Sequence, residues 1–158
     1  MTRSRFERAV AAVEALTWRG MRPGLVRTEA LLHALGDPLC GLRGVLIAGT
    51  NGKGSVCAVV DSVLRAASIP TVLLTKPHLV SYRERIVIDG EWIGEDGFAD
   101  LIEAAVEAAS TLSEELQPTG FELMTAAGIL AAQRHSPGAL VCEVGLGGRL
   151  DSTNVLDL

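Results

Sequence analysis

The sequence predicts an α/β domain built around a mainly parallel sheet. Three short apolar runs have the length and composition of buried strands, at residues 45–48, 71–75 and 139–144. Helical segments separate these runs, and a glycine-rich loop joins the first run to the helix after it. Strand, loop, helix and strand make a βαβ unit, whose two strands are parallel because a crossover connects them.

Two helices are predicted before the first strand. Residues 5–16 carry apolar side chains at helical spacing. Residues 28–35 form the second helix, with Thr28 as its N-terminal cap and Gly36 as its stop signal. We interpret residues 19–24, which contain two glycines and a proline, as the loop between these helices.

Helical and extended segments alternate through the rest of the chain. The pattern predicts helices over 54–67, 96–116 and 121–135, and a hairpin of residues 85–88 and 91–93 joined by Asp89-Gly90. Three parallel strands make a small sheet, and nothing follows the last of them to cover it. We therefore expect the chain to be a fragment of something longer.

The composition is that of an ordinary globular domain, with 158 residues of which 48% are hydrophobic and 21% are charged. The net charge of −5 argues against nucleic acid or an anionic membrane as a partner. No apolar stretch approaches the roughly 18 residues of a membrane span, and residues 1–5 do not resemble a signal peptide. Cys40, Cys57 and Cys142 form no Cys-x-x-Cys pair, so we predict buried or partly buried thiols in a cytoplasmic protein.

The segment Gly49-Thr50-Asn51-Gly52-Lys53-Gly54-Ser55 has the features of a loop that binds the phosphates of ATP. Such a loop needs free backbone N–H groups, the start of a helix, a cation and a hydroxyl. Lys53 supplies the cation for the β- and γ-phosphates, and Ser55 supplies a hydroxyl for a metal. The loop departs from the usual pattern because Gly54 separates these two residues. A glycine-rich turn with a surface lysine is the alternative, but the flanking strand and helix favour phosphate binding.

These residues, together with Ala48, resemble the nucleotide loop of the folylpolyglutamate synthase and dihydrofolate synthase family, which belongs to the Mur-ligase superfamily. Further matching segments follow in the family's order: Pro77-His78-Leu79, Glu84-Arg85-Ile86, residues 121–125 and residues 143–154. The resemblance spans nearly all of residues 25–158. Its last segment is more specific than the phosphate loop and favours the folate branch of the superfamily.

The resemblance implies a P-loop-containing, three-layer α/β/α fold with a mainly parallel sheet, which is the central domain of Mur-type ligases and is incomplete here. Residues 1–40 would be an N-terminal helical segment packed on the core. Residues 41–158 would be the first part of the ATP-binding central domain. The remainder of that domain and a C-terminal domain would be absent, and a monomer is expected.

The resemblance also implies an ADP-forming ligase that uses ATP and Mg²⁺. In that chemistry ATP phosphorylates a carboxylate of a folate or pteroate, and the amine of L-glutamate attacks the acyl phosphate. The chain by itself is expected to be an inactive fragment of the ligase. Whether the enzyme makes dihydrofolate, extends polyglutamate or does both is left open.

Lys53 and Glu143 are the predicted catalytic residues, and Ser55 and Glu143 are the predicted metal ligands. Glu143 ends a buried strand beside a glycine-rich loop, at the sheet edge where ligands bind; a solvated strand end is the alternative. Ser55 is either its hydroxyl partner or a helix cap. Lys76 stands where the family carries a serine associated with Mg²⁺, and an ammonium cannot ligate a metal. It is either a surface lysine or a charge that replaces part of the metal's work on phosphate.

Four residues are weaker candidates for binding the substrate. His78 follows the second strand at the functional edge of the sheet, and Arg83 lies in a charged run that flanks the folate-binding loop in the family. Glu122 is either a site residue or a favourable charge at the start of its helix. Asp151 either lies beside the site or forms a turn.

Three other functions are weighed against the folate ligase. A Mur-type ligase acting on a cell-wall nucleotide is disfavoured by residues 84–86 and 147–151, which match the folate branch. A nucleotide phosphotransferase or regulatory NTPase predicts a standard P-loop and an aspartate on a neighbouring strand, where this chain has Glu143. The third alternative function is a module that binds nucleotide without catalysis.

Overall fold

A computed structural model describes residues 3–20 and 22–158 of the chain. Its helices are α1 (Arg5–Thr17), α2 (Val26–Ala34), α3 (Lys53–Ala66), α4 (Glu95–Ser110) and α5 (Gly120–His135), and its strands are β1 (Gly44–Ile47), β2 (Thr71–Leu74), β3 (Ile86–Ile88), β4 (Glu91–Trp92) and β5 (Ala139–Glu143). The segment 1–5, which was compared with a signal peptide, and the predicted loop at 19–24 each include residues outside the described ranges, namely Met1, Thr2 and Met21.

The five strands form one sheet in the order β1-β5-β2-β3-β4. Strands β1, β5 and β2 are parallel, with Ile47 paired to Glu143 and Leu74 paired to Cys142. Strands β3 and β4 form the hairpin, and β3 pairs antiparallel with β2. The three parallel strands and the hairpin are confirmed. The sheet is nevertheless larger than its parallel part, because the hairpin adds two strands at the β2 edge.

The sheet lies between two helical layers, because alternate residues of each buried strand face opposite sides. Leu73 and Val141 pack with Cys57 of α3 on one face. Their neighbours in the strands, including Val72 and Leu140, join the larger core formed with the other four helices. The three-layer α/β/α arrangement predicted for the chain is confirmed.

Helix α5 is the central element of the larger layer, and it is buried along almost its whole length. It contacts α1, α2 and α4, and it approaches β2 closely at Gly128. A Cβ at that glycine would lie 2.8 Å from a methyl carbon of Leu74, so the missing side chain permits the close approach. Helices α1 and α2 thus pack on α4 and α5, whereas the division of the chain at residue 40 stays a prediction.

The start of α2 differs from the expectation. The helix begins at Val26 and has Leu25 at its N-cap position. Thr28 is completely buried inside the helix, and its hydroxyl has no hydrogen-bond partner among the residues that the structure describes. The predicted threonine cap is therefore wrong, because packing of α2 against α5 places Thr28 in the core.

Helix α4 ends at Ser110, six residues before the predicted end, and a short 3₁₀ turn follows at Glu114–Leu116. The amide of Gln117 donates hydrogen bonds to the carbonyl oxygens of Ala109 (2.8 Å) and Leu112 (3.0 Å). These bonds satisfy one carbonyl of the last turn of the helix, that of Ala109, and one in the segment just after the helix.

The cysteine prediction holds for two residues of the three. Cys57 and Cys142 are buried free thiols, and burial raises the pKa of Cys57 to about 11 and that of Cys142 to about 12. Cys40 is exposed, because it lies in the turn before β1 rather than in an apolar run. Within residues 3–20 and 22–158, no helix is both long enough and apolar enough to cross a bilayer.

Candidate active site

The phosphate loop connects β1 to α3, as predicted, and two glycines give it its path. Gly49 and Gly52 have φ angles of 156° and 76°, which other residues rarely adopt. Gly52 is the N-cap of α3, so the first N–H groups of the helix are free to bind an anion. The ammonium of Lys53 folds back over the loop and donates to the carbonyl oxygen of Gly49 at 2.9 Å. The loop therefore presents amides and a cation on the same side.

Glu143 lies against this loop at the end of β5, and only 5% of its surface is exposed. A Cβ placed on Gly54 would lie 3.7 and 3.8 Å from its two carboxylate oxygens. One of these oxygens, Oε2, accepts a hydrogen bond from the backbone N–H of Lys76 at 2.9 Å. The structure thus brings the carboxylate predicted to bind a metal next to the start of the phosphate-loop helix.

The donor set here fits a hard cation such as Mg²⁺. The carboxylate of Glu143 has lone pairs left beyond its one hydrogen bond, and Ser55 is exposed in the first turn of α3. No group of three His, Cys, Asp or Glu side chains forms a candidate metal site in residues 3–20 and 22–158. A Mg²⁺ ion held by Glu143 and Ser55 would take its other ligands from phosphate and water, as this ion commonly does.

A cleft of about 780 Å³ opens beside these residues, at the carboxyl end of the parallel strands. This volume is in the range of small-molecule sites. The charged side chains along its wall are the cations Arg22, Lys53, Lys76 and Arg85 and the carboxylates Glu122, Glu143 and Asp151. Four of the seven, Lys53, Glu122, Glu143 and Asp151, are candidate site residues from the sequence.

Lys76 enters the cleft two residues after the end of β2. Its ammonium lies 4.5 Å from the centre of the Phe121 ring, in the geometry of a cation–π contact. Burial lowers the pKa of this ammonium, and the nearby Cys142, Asp151 and Glu143 oppose that shift. Lys76 is therefore a partly buried cation of the cleft and does not point away from the site.

Asp151 organises the loop that follows β5. Its two oxygens accept hydrogen bonds from the N–H of Leu146 (2.8 Å), the N–H of Thr153 (3.0 Å) and the hydroxyl of Thr153 (2.6 Å). Burial acts to raise the pKa of this carboxyl, but these hydrogen bonds outweigh it and leave the pKa lowered. With both oxygens engaged, Asp151 acts as a turn former at the wall of the cleft.

Glu122 lines the same cleft, but its carboxylate is held by protein partners. It forms a capping box with Thr119 at the start of α5 and receives the N–H of that residue at 2.7 Å. It also pairs with Arg27 of α2 at 2.8 Å, and the two side chains are 4% and 13% exposed. The geometry supports the interpretation of Glu122 as an N-terminal helix charge that also ties α5 to α2.

The two remaining weak candidates lie outside the wall of the cleft. Arg83 is 3.9 Å from Glu95 and lies over the ring of Trp92 at 6.0 Å. The Nδ1 atom of His78 accepts a hydrogen bond from Nε of Arg85 at 2.9 Å. Burial, and then the charge of Arg85, lower the pKa of His78, so its imidazole is neutral near pH 7.

Sequence reasoning missed two charged residues of the cleft wall, Arg22 and Arg85. Arg85 belongs to the same charged run as Arg83, but of these two only Arg85 reaches the cleft. Its guanidinium lies 4.9 Å from the ring centre of Tyr82, and its Nε is held by His78. Residues 82–85 form a 3₁₀ helix, so a strand-like alternation along this run gives the wrong side-chain directions.

The loop before this 3₁₀ helix is closed by one carboxylate. Glu84 accepts the backbone N–H groups of Leu79, Val80 and Ser81 at 2.8, 2.7 and 2.6 Å. These bonds, led by the one from Leu79, lower the pKa of Glu84. They fix the segment that carries His78 next to the cleft.

Comparison with known proteins shows the family to which the chain belongs. The dihydrofolate synthase/folylpolyglutamate synthase of Bacillus subtilis is 38% identical over 141 residues, which are 87% of this chain and 33% of that protein. The dihydrofolate synthetase of Saccharomyces cerevisiae is 42% identical over 133 residues, 84% of this chain and 31% of its own length. Over the aligned region, the chain belongs to the folylpolyglutamate synthase and dihydrofolate synthase family. It spans about a third of the length of these curated relatives, and no family model matches it.

Solved structures of folylpolyglutamate synthases share the fold. The apo form of the L. casei enzyme superposes with a TM-score of 0.89 at 32% identity, covering 96% of this chain and 38% of that one. A folylpolyglutamate synthase in complex with AMPPCP and folate gives a TM-score of 0.87 at 32% identity, covering 96% and 38%. The prediction of a Mur-ligase-type α/β fold is confirmed.

Proposed function

We propose that this chain provides the nucleotide-binding part of an ATP-dependent, ADP-forming ligase that joins L-glutamate to a carboxylate of a folate or pteroate. The observation that carries the proposal is the position of Glu143 against the phosphate loop, with Lys53 beside it on the wall of one cleft. A phosphoryl-transfer site needs these elements together, because free amides, a cation and a metal-binding carboxylate must all face the same phosphates.

The relatives support the choice of substrates. Those reported above are named for dihydrofolate and folylpolyglutamate synthesis, and one solved relative holds AMPPCP and folate together. The cleft of this chain also suits such ligands, because it joins a phosphate loop to an aromatic wall at Phe121. A nucleotide and an aromatic carboxylate therefore find complementary surfaces in one cavity.

The chemistry follows from the poor reactivity of a carboxylate towards amines. Transfer of the terminal phosphoryl group of ATP gives the carboxylate a good leaving group, the amine of L-glutamate attacks the carbonyl carbon, and amide, ADP and phosphate are released. Lys53 and the first amides of α3 hold the phosphates and offset their charge. A Mg²⁺ ion held by Glu143 and Ser55 would supply further charge neutralisation at the phosphoryl oxygens.

Arg85 is the residue of this chain best placed to bind a carboxylate of the folate. It lines the cleft, and its Nε is already oriented by the neutral His78. A guanidinium binds a carboxylate through two parallel hydrogen bonds, so the terminal nitrogens of Arg85 suit this task. In this proposal His78 positions Arg85 and does not contact the substrate itself.

The first experiment measures nucleotide binding to the chain by titration calorimetry with a non-hydrolysable ATP analogue and Mg²⁺. We expect Lys53→Met and Glu143→Gln each to weaken binding by about tenfold or more, because each removes a charged contact to the phosphates or their metal. The matched control is Arg43→Met, which removes an exposed charge just before β1, at the opposite end of the sheet. Equal affinities for Lys53→Met and the unmodified chain would contradict the proposal.

The second experiment measures ADP release from MgATP with L-glutamate and either dihydropteroate or tetrahydrofolate, both for this chain and for the longer ligase to which we propose it belongs, with the Bacillus subtilis relative as positive control. The two folates distinguish dihydrofolate synthesis from polyglutamate extension. ADP release that needs neither folate nor L-glutamate would favour a simple NTPase over the ligase. The same assay tests the expectation that the chain by itself is inactive, since turnover contradicts it.

A further inference from the structure

The chain contains two lysines, Lys53 and Lys76, and both line the cleft. Lys53 has a clear place in the phosphate loop. Lys76 has no role in the proposed chemistry, although it lies on the side of Glu143 opposite to Lys53. Strand β5 lies between β1 and β2, so its terminal carboxylate is flanked by one lysine from the loop after each neighbouring strand.

The backbone of Lys76 is held in place by the site itself. Its N–H donates to Oε2 of Glu143 at 2.9 Å, which places the main chain beside the candidate metal carboxylate. The side chain then runs along the wall formed by Cys142 and Phe121. A lysine stem packed on apolar groups with its ammonium directed to a cavity has few alternative positions.

The Lys76 ammonium has no direct partner in the described ranges, although the carboxylates of Asp151 and Glu143 are near enough to act on its charge. This ammonium makes no hydrogen bond or ion pair with any residue of the described ranges 3–20 and 22–158. The Phe121 face attracts a cation but brings no negative charge. The oxygens of Asp151 are engaged by Leu146 and Thr153. Three N–H donors of a partly buried cation therefore face the cleft without an acceptor.

We propose that the Lys76 ammonium binds an oxyanion, a phosphate or a carboxylate, of the ligand that occupies the cleft. The inference rests on the proposed function, since it assumes that anionic ligands enter this cavity. Phe121 holds the ammonium in place while its three N–H groups are left for the ligand. Lys76 thus provides a fixed positive charge opposite Lys53, on the far side of Glu143, and contributes no ligand to a metal.

The presence of two lysines makes the test direct. Protein labelled with carbon-13 at the lysine ε position gives two side-chain signals, and Lys76→Met assigns them. Three probes are titrated: a non-hydrolysable ATP analogue with and without Mg²⁺, folate, and inorganic phosphate. We expect the Lys76 signal to move on saturation with at least one probe. Movement with the nucleotide or phosphate identifies a phosphoryl oxygen, and movement with folate identifies a carboxylate.

The Lys53 signal reports on the proposed function separately. If it moves with nucleotide while the Lys76 signal stays fixed with all three probes, the oxyanion proposal is overturned and the nucleotide site stands. If the Lys76 signal moves with phosphate or folate but Lys53 is insensitive to nucleotide, the oxyanion site stands and the nucleotide proposal fails. If neither signal responds to any probe, both proposals fail.

Binding measurements on variants give the size of the effect. Lys76→Met removes the charge while it keeps an apolar stem, and we expect about 10- to 100-fold weaker binding of the probe that moved the Lys76 signal. Lys76→Arg keeps the charge in a larger, planar group, so it should weaken binding less than Lys76→Met does. Arg43→Met, the remote control, should bind as the unmodified chain does. Equal binding by Lys76→Met and Lys76→Arg, with both variants folded, would overturn the proposal.

Discussion

The ion pair of Arg27 and Glu122 gives a specific prediction because it is buried. The prediction also tests whether Glu122 has a structural role. In Arg27→Met the carboxylate of Glu122 loses contacts of 2.8 and 3.0 Å to the guanidinium. The side chain of Glu122 is only 4% exposed, so water cannot replace them. Within α5 it keeps the N–H of Thr119 as a donor.

The magnitude follows from this burial. Removing one partner of a buried pair leaves an uncompensated charge and typically costs about 3–5 kcal/mol. We place Arg27→Met at about 3 kcal/mol, the low end of that range, because the capping bond from Thr119 remains. For a chain of this length each kcal/mol lowers the midpoint of thermal unfolding by roughly 2–4 °C. The expected shift is therefore roughly 6–12 °C, measured by circular dichroism and by urea unfolding.

The double variant Arg27→Met/Glu122→Gln tests the cause. Glutamine keeps the capping box with Thr119 but carries no charge, so the double variant should regain at least about 1 kcal/mol over Arg27→Met. Arg43→Met is the control for loss of an exposed positive charge. A loss below about 0.5 kcal/mol for Arg27→Met, or a double variant no more stable than the single one, would refute this account of Glu122.

Two further predictions concern the loops around the cleft. Gly145→Ala should destabilise the chain by about 1–3 kcal/mol in urea, because its Cβ would lie 2.5 Å from the Phe121 ring and 2.7 Å from the Asp151 carboxylate. The Cβ of Gly148→Ala would meet no atom of the described residues within 4 Å, so this variant should change stability little. Equal effects of the two substitutions would contradict the packing argument. The amide bonds to Glu84 should be present above its ordinary pKa of 4.5 and lost as the pH falls through its lowered value in the folded chain. Amide proton shifts of residues 79–81 should follow this titration, and their failure to change in acid would disprove it.

Elements with a strong local signal could be predicted from the sequence. The hairpin follows from Asp89-Gly90, whose φ angles of 50° and 90° are those of a tight hairpin turn. The start of α5 follows from the spacing of Thr119 and Glu122, which form the capping box. In these cases the residues that specify the structure lie within a few positions of one another.

Errors arose where a tertiary contact overrode the local pattern. Thr28 has a good capping side chain, but the core it packs against is formed by residues far away in the chain. The run that forms α4 has a helical composition beyond Ser110, but Gln117 folds back on its last carbonyls. Neither contact can be predicted from the spacing of apolar residues in the sequence.

The candidate site divides in the same way. The shared position of Lys53 and Glu143 was predictable, because the carboxyl ends of parallel strands meet at one edge; their roles stay predictions. Which of Arg83 and Arg85 reaches the cleft could not be predicted, because a 3₁₀ helix sets the directions of their side chains. The contact of Lys76 with Phe121 joins two segments far apart in sequence, and no sequence motif predicts it.

The strand order has a consequence for how the chain folds. Strands β1 and β2 are close in sequence, but they do not pair with each other, because β5 lies between them. Until β5 is in place, β1 and β2 each have an unpaired edge on the side where β5 will lie. The two lysines that flank the site then have no carboxylate between them. Closing such distant contacts is slow relative to local ones. Because Glu143 is the last residue of β5, the pairing of β5 with its two neighbours is also what brings this carboxylate between the two lysines.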